Sequence, residues 1–139
     1  MTPLACAKLA AVLSVFFGGM NLHQVFAKIE KVRMRVKQFQ AVAGDPENSA
    51  RLRLVRAFFY LGAPLGYLGA LLGAGLPTVF LSAAAAKLWL SALLGLSTER
   101  RLLRGGDYRP RDHFLSRLDA GLNLALAAGA VRLLLRLRY

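Results

Sequence analysis

Lys87 stands near the middle of PTVFLSAAAAKLWLSALLGL, residues 77–96, a stretch that carries no other charge. If that stretch crosses a bilayer, a cation at such depth costs on the order of 3 kcal/mol on insertion scales. It then needs polar company inside a helix bundle, the alternative being a side chain that snorkels to the surface. By depth, the candidate partners are Asp119 and Asn123 on a later apolar segment and Tyr60 and Tyr67 on an earlier one. Asp119 and Asn123 lie four residues apart and share one helix face. The expected intramembrane polar cluster is therefore Lys87, Asn123, Asp119 and Tyr60.

Little else in the chain resembles a reaction centre. Cys6 is the only cysteine, so no internal disulfide and no cysteine-based metal site can form; it reads as a small buried apolar group. His23 and His113 have no ligand-type spacing to carboxylates. No dinucleotide fingerprint, phosphate-binding loop or nucleophile elbow occurs. The glycine pair in RLLRGGDYR follows a helical segment instead of opening one, which is the wrong order for cradling phosphate. Neither catalytic residues nor a metal or other cofactor is expected.

The elements that would position Lys87 follow from hydropathy. The 139 residues are 56% hydrophobic, with mean hydropathy +0.45, yet the net charge is +12. Long stretches are almost free of charge, and the basic residues collect between them, as a bilayer selects. Four segments approach the roughly 20 apolar residues that a spanning helix needs: 3–22, 54–73, 77–96 and 118–135. The first reads as an uncleaved span. The fold expected is an all-α bundle of four transmembrane helices forming one integral membrane domain, 1–139.

GAGLP joins the second and third spans tightly, with Pro77 suited to a helix start. The other connections are long and basic. Residues 28–56 hold eight Lys or Arg against three acids, and residues 99–119 hold six against four. Four crossings put both loops on one side, which the positive-inside rule makes the cytoplasmic or matrix face. The membrane expected is a bacterial or mitochondrial inner membrane. Phe26, Ile29, Val32 and Val36 keep near-helical spacing, so the first helix is expected to project beyond the bilayer as an amphipathic extension. Its Lys28, Lys31, Arg33, Arg35 and Lys37 would meet anionic lipid, cardiolipin being one candidate. Beside four spans, lipid is a nearer target for these charges than nucleic acid, which is not expected as a partner. In GDPEN, Asp45 would cap and Pro46 would open the next helix. Gly105 and Gly106 would stop a helix, and Pro110 would form a rigid turn.

Close helix packing would come from small residues, since lipid gives no hydrophobic push between helices. Gly62, Gly66, Ala70 and Ala74 recur every fourth residue, and Gly69 and Gly73 form a second GxxxG. Gly121, Ala125 and Gly129 repeat the spacing in the last span.

Three stretches resemble the DoxX-like group of small four-helix membrane proteins. FFGGMNLHQVF (16–26) is similar to the glycine-containing end of that group's first span. GYLGALLGAGLP (66–77) is similar to its second, with Gly66 where the group carries an acid. AAAAKLWLSALLGLSTERRLLRGGD resembles its small-residue third helix and basic exit. A weaker resemblance, carried by ARLRLVRAFFYLG with Arg51, Arg53 and Arg56, is to the eicosanoid and glutathione membrane enzymes known as MAPEG. The first likeness implies a redox or assembly role, the second glutathione chemistry. Taken with the empty catalytic inventory, the expectation is a non-catalytic accessory or assembly subunit of a larger complex in an energy-transducing membrane, bound to other membrane subunits. A MAPEG-type enzyme and a DoxX-like redox partner are the alternatives.

Overall fold

The computed structural model describes residues 1–45 and 48–137. The described chain is all-α: α1 (Pro3–Val25), α2 (Ile29–Ala43), α3 (Ser49–Ala57), a π-helical turn (Phe58–Gly62), α4 (Ala63–Gly73), α5 (Thr78–Leu103) and α6 (Pro110–Leu134). Four stretches are long and apolar enough to cross a membrane: Pro3–Val25, Ala50–Gly73, Thr78–Leu103 and Pro110–Leu134. At most 22% of any of their apolar windows is buried within the chain. Most of the apolar surface therefore looks outward, as lipid-facing helices require.

Antiparallel α1 and α6 make the closest pair. Ala7, Ala10 and Ser14 of α1 and Ala127, Ala130 and Leu134 of α6 are buried, and small side chains at these positions let the backbones approach. Cys6 belongs to this core, as expected, together with Tyr67, Ala70 and Leu71 from α4 and Ala74 just after it. Helix α5 touches α4 and α6 less extensively. The space it leaves is where the site lies.

The π-helical turn has a cause in the sequence. Pro64 has no N–H, and its ring would clash with the carbonyl of Tyr60 in a regular helix. Widening the preceding turn, so that the Ala63 N–H reaches the Phe58 carbonyl, relieves the conflict without breaking the span.

Several boundaries differ from expectation. Helix α1 does not continue into an extension: it stops at Val25, Lys28 is extended, and a separate α2 begins at Ile29. No residue of α2 is fully buried. It docks by polar contacts, with Gln40 donating to the carbonyls of Leu102 (2.7 Å) and Gly106 (3.1 Å) and Arg33 to that of Tyr108 (3.3 Å). Helix α5 runs on to Leu103, where Gly105 at φ +82° reverses the chain. Pro110 is no turn but the first residue of α6, where a missing N–H costs nothing. The Asp112 carboxylate accepts from the Arg109 N–H at 2.8 Å and starts that helix well before residue 118. Pro46 lies outside the described residues.

Candidate functional site

Helices α5 and α6 run antiparallel and place Lys87 opposite Asp119 and Asn123. The Lys87 ammonium donates to Asp119 Oδ1 at 2.7 Å, to the Asp119 carbonyl at 3.2 Å, and to Asn123 Oδ1 and Ser91 Oγ. Ser91 stands one turn beyond Lys87 on the same face and also reaches Asp119 Oδ1 (2.8 Å). Asn123 passes the network to α1 by donating to Asn21 Oδ1 (3.0 Å), and Asn21 donates to the Phe17 carbonyl (2.7 Å). Lysine, serine, carboxylate and two amides thus form one chain of hydrogen bonds across three helices. The Lys87 and Asp119 side chains keep 14% and 29% of their exposure, so the lysine points inward to partners.

Tyr60 and Tyr67 do not join this chain. Tyr60 packs on Gly95, where an added Cβ would stand 2.7 Å from its Cε1, and its hydroxyl interacts with Glu99. The widened turn before Pro64 sets Arg56 and Tyr60 one turn apart along the face that meets Gly95 and Glu99. Arg56 Nε stands 2.7 Å from Glu99 Oε1. Tyr67 is buried against α1, its hydroxyl 2.7 Å from Ser14 Oγ; Ser14 donates to the Ala10 carbonyl, so Tyr67 is the donor of the pair. On the loop side, Arg101 pairs with Asp112 and donates to the Asp107 carbonyl.

The sequence expectations do not include Asn21, Ser91, Ser14 or Glu99. Ser91 was visible as the polar residue four places after Lys87. Asn21 is a lone amide near the end of an apolar run, and nothing in one sequence ties it to Asn123.

Two cavities meet at this polar chain. One, of about 270 Å³, is walled by Phe17, Phe59, Leu88 and Leu126, with Asn21, Asp119 and Asn123 at its polar side. The other, of about 400 Å³, lies beneath α2 and shares Tyr60, Ser91, Gly95 and Asp119 with the first.

The glycines expected to pack the bundle divide into two groups. Gly73 meets Cys6, whose Sγ would stand 2.6 Å from an added Cβ, and Gly129 meets the Phe80 ring at 3.2 Å. Gly66, Gly69 and Gly121 have nothing within 4 Å, and Gly62 meets only Phe58 of its own helix. Gly62, Gly66, Gly69 and Gly73 share one helix phase, at four-, three- and four-residue steps, away from buried Tyr67, Ala70 and Leu71. At its Gly73 end this stripe meets Cys6 of α1, whereas along Gly62, Gly66 and Gly69 no other described element comes within 4 Å of an added Cβ.

Of the basic residues on and before α2, Lys28, Lys31, Arg33, Arg35 and Lys37 are all exposed. They flank the strip of Ile29, Val32, Val36 and Phe39 that faces the bundle. Arg33 and Lys37 also line a groove of about 350 Å³ against Gly106–Tyr108.

No family model, curated protein or solved structure matches the chain.

Proposed function

We propose that the chain is a non-catalytic accessory or assembly subunit of a larger complex in an energy-transducing membrane, such as a bacterial or mitochondrial inner membrane. The observation that carries this reading is the outward glycine stripe of α4. A glycine inside a helix is about 0.5–1 kcal/mol worse than alanine. Gly62, Gly66 and Gly69 incur that cost and return no contact with another element within the chain. In lipid, glycine gains its value from close approach of a second backbone, so the compensating surface belongs to another subunit. Exposed Phe58, Leu65 and Leu72 border the stripe and supply apolar rims for the same contact.

The remaining features suit an anchored packing subunit. The basic loops lie on the cytoplasmic or matrix side under the positive-inside rule. There α2 lies along the surface, with its basic flanks on anionic lipid; cardiolipin fits the Arg33–Lys37 groove as a phosphate ligand. The test is native mass in mild detergent after expression in a source membrane. Migration with a larger assembly is expected. A lone 15.1 kDa chain overturns the proposal, and a simple multiple of that mass replaces it with self-association.

A further inference from the structure

The cavity of about 400 Å³ beneath α2 is lined by Glu99, Asp112 and Asp119 and, among the described residues, by no lysine or arginine. These are three of only seven acidic residues in a chain of net charge +12. Each has a cationic partner, Arg56, Arg101 and Lys87 respectively, but none of the three cations lines the cavity. The acidic member of each ion pair thus lines the cavity, and its basic partner does not.

A second observation shows that the acceptors are not all used. Glu99 retains 9% of its exposure, and its Oε2 has no hydrogen-bond partner among the described residues. Arg56 Nε is close to the other carboxylate oxygen but forms no aligned hydrogen bond. The Tyr60 hydroxyl interacts with the same carboxylate but makes no aligned bond to Oε2, so this buried oxygen keeps a desolvation penalty that a donor in the cavity would reduce. Asp119 lines both cavities, and among the described residues its Oδ2 receives one bond, of 3.3 Å, from Asn123.

We propose that this cavity binds an aliphatic ammonium group attached to an apolar body. The ammonium sits at Glu99, and the body extends toward the adjoining cavity of about 270 Å³ along Phe17, Phe59, Leu88 and Leu126. An ammonium supplies three donors together with positive charge; an alcohol supplies one donor and no charge. A carboxylate or phosphate would meet like charge. A metal ion is disfavoured by geometry, because no three His, Cys, Asp or Glu among the described residues come together as ligands. The chain's overall positive charge does not oppose the ligand, since exposed loop charges are screened within about 10 Å. The ammonium has two natural sources, a free lipophilic amine or a phosphatidylethanolamine headgroup.

The experiment uses the full chain in phosphatidylcholine nanodiscs and reads its melting temperature with dodecylamine, dodecanol or dodecanoate. Dodecylamine should raise the wild-type value by several degrees, and the other two should not. Glu99→Gln should abolish the rise, while Glu30→Gln, on the exposed face of α2, should keep it. Equal shifts from amine and alcohol, or an unchanged shift in Glu99→Gln, would overturn the proposal. Loss of the shift in Glu30→Gln would also overturn it, by assigning the effect to surface charge. If Glu99→Gln fails to fold, Leu115→Trp decides, since it fills the cavity and leaves every carboxylate in place: a retained shift overturns the site, a lost one supports it. Discs containing phosphatidylethanolamine separate the sources. A higher starting value and a blunted amine response identify the headgroup, and an unchanged response identifies the free amine.

Discussion

Replacing Lys87 by methionine keeps the length of the side chain and removes its charge. In wild type the ammonium satisfies Asp119, Asn123 and Ser91 together. The variant leaves the Asp119 carboxylate without a cation and Asn123 Oδ1 without a donor. Breaking a fully buried pair costs about 3–5 kcal/mol and an exposed one about 0–1 kcal/mol. With the side chains at 14% and 29% exposure, the expected loss lies between, at ~2–3 kcal/mol, with ~1 kcal/mol more for the amide. At roughly 2–4 °C per kcal/mol for a chain of this size, the melting temperature in detergent should fall by about 6–16 °C. Adding Asp119→Leu to Lys87→Met removes the stranded carboxylate and should restore more than half of the loss. The assay is thermal unfolding of both single variants and the double, read as a double-mutant cycle. A Lys87→Met protein as stable as wild type would refute the reasoning, because a lysine bound only to lipid or water is improved by losing its charge.

Three further outcomes follow from placement. Cysteines put at Lys37 and Asp107 in a Cys6→Ala background should react with an impermeant reagent from the same side, while one at Thr78 should react from the other; any other pattern removes a crossing. Neutralising Lys28, Lys31, Arg33, Arg35 and Lys37 together should strip anionic lipid seen by native mass spectrometry, each charge contributing ~1 kcal/mol of attraction; unchanged retention moves the lipid elsewhere. Gly73→Ala should destabilise the isolated chain by about 1–3 kcal/mol through its collision with Cys6, and an unchanged melting temperature would show that α1 and α4 are not packed this closely.

The four spans and the pairing of Lys87 with the Asp119–Asn123 face were legible because they depend on hydropathy and helical spacing, both local properties. The α1–α2 break was not, since the apolar spacing of Phe26, Ile29 and Val32 runs straight through Ala27 and Lys28, and no glycine or proline there marks the extended backbone that Lys28 adopts. Pro110 was misplaced because proline serves turns and helix starts alike; Asp112, two residues on, distinguishes them. The glycine spacing was visible but not its direction. A stripe of small residues has the same period whether it faces its own bundle or another subunit, and which one depends on where Tyr67 and Leu71 find their core. Tyr60 lies against Gly95, about two turns along α5 from Lys87, so counting depth from the span ends groups it with the wrong neighbours.

The central claim is that the exposed glycine face of α4 is a contact with another subunit, and Gly66→Leu tests it most directly. No neighbour stands within 4 Å of the added carbon, and leucine favours helix more than glycine by about 0.5–1 kcal/mol. The isolated chain should therefore melt no lower than wild type, and its native mass should fall from that of the assembly to that of the single chain. A Gly66→Leu protein that still migrates with the assembly would contradict the account.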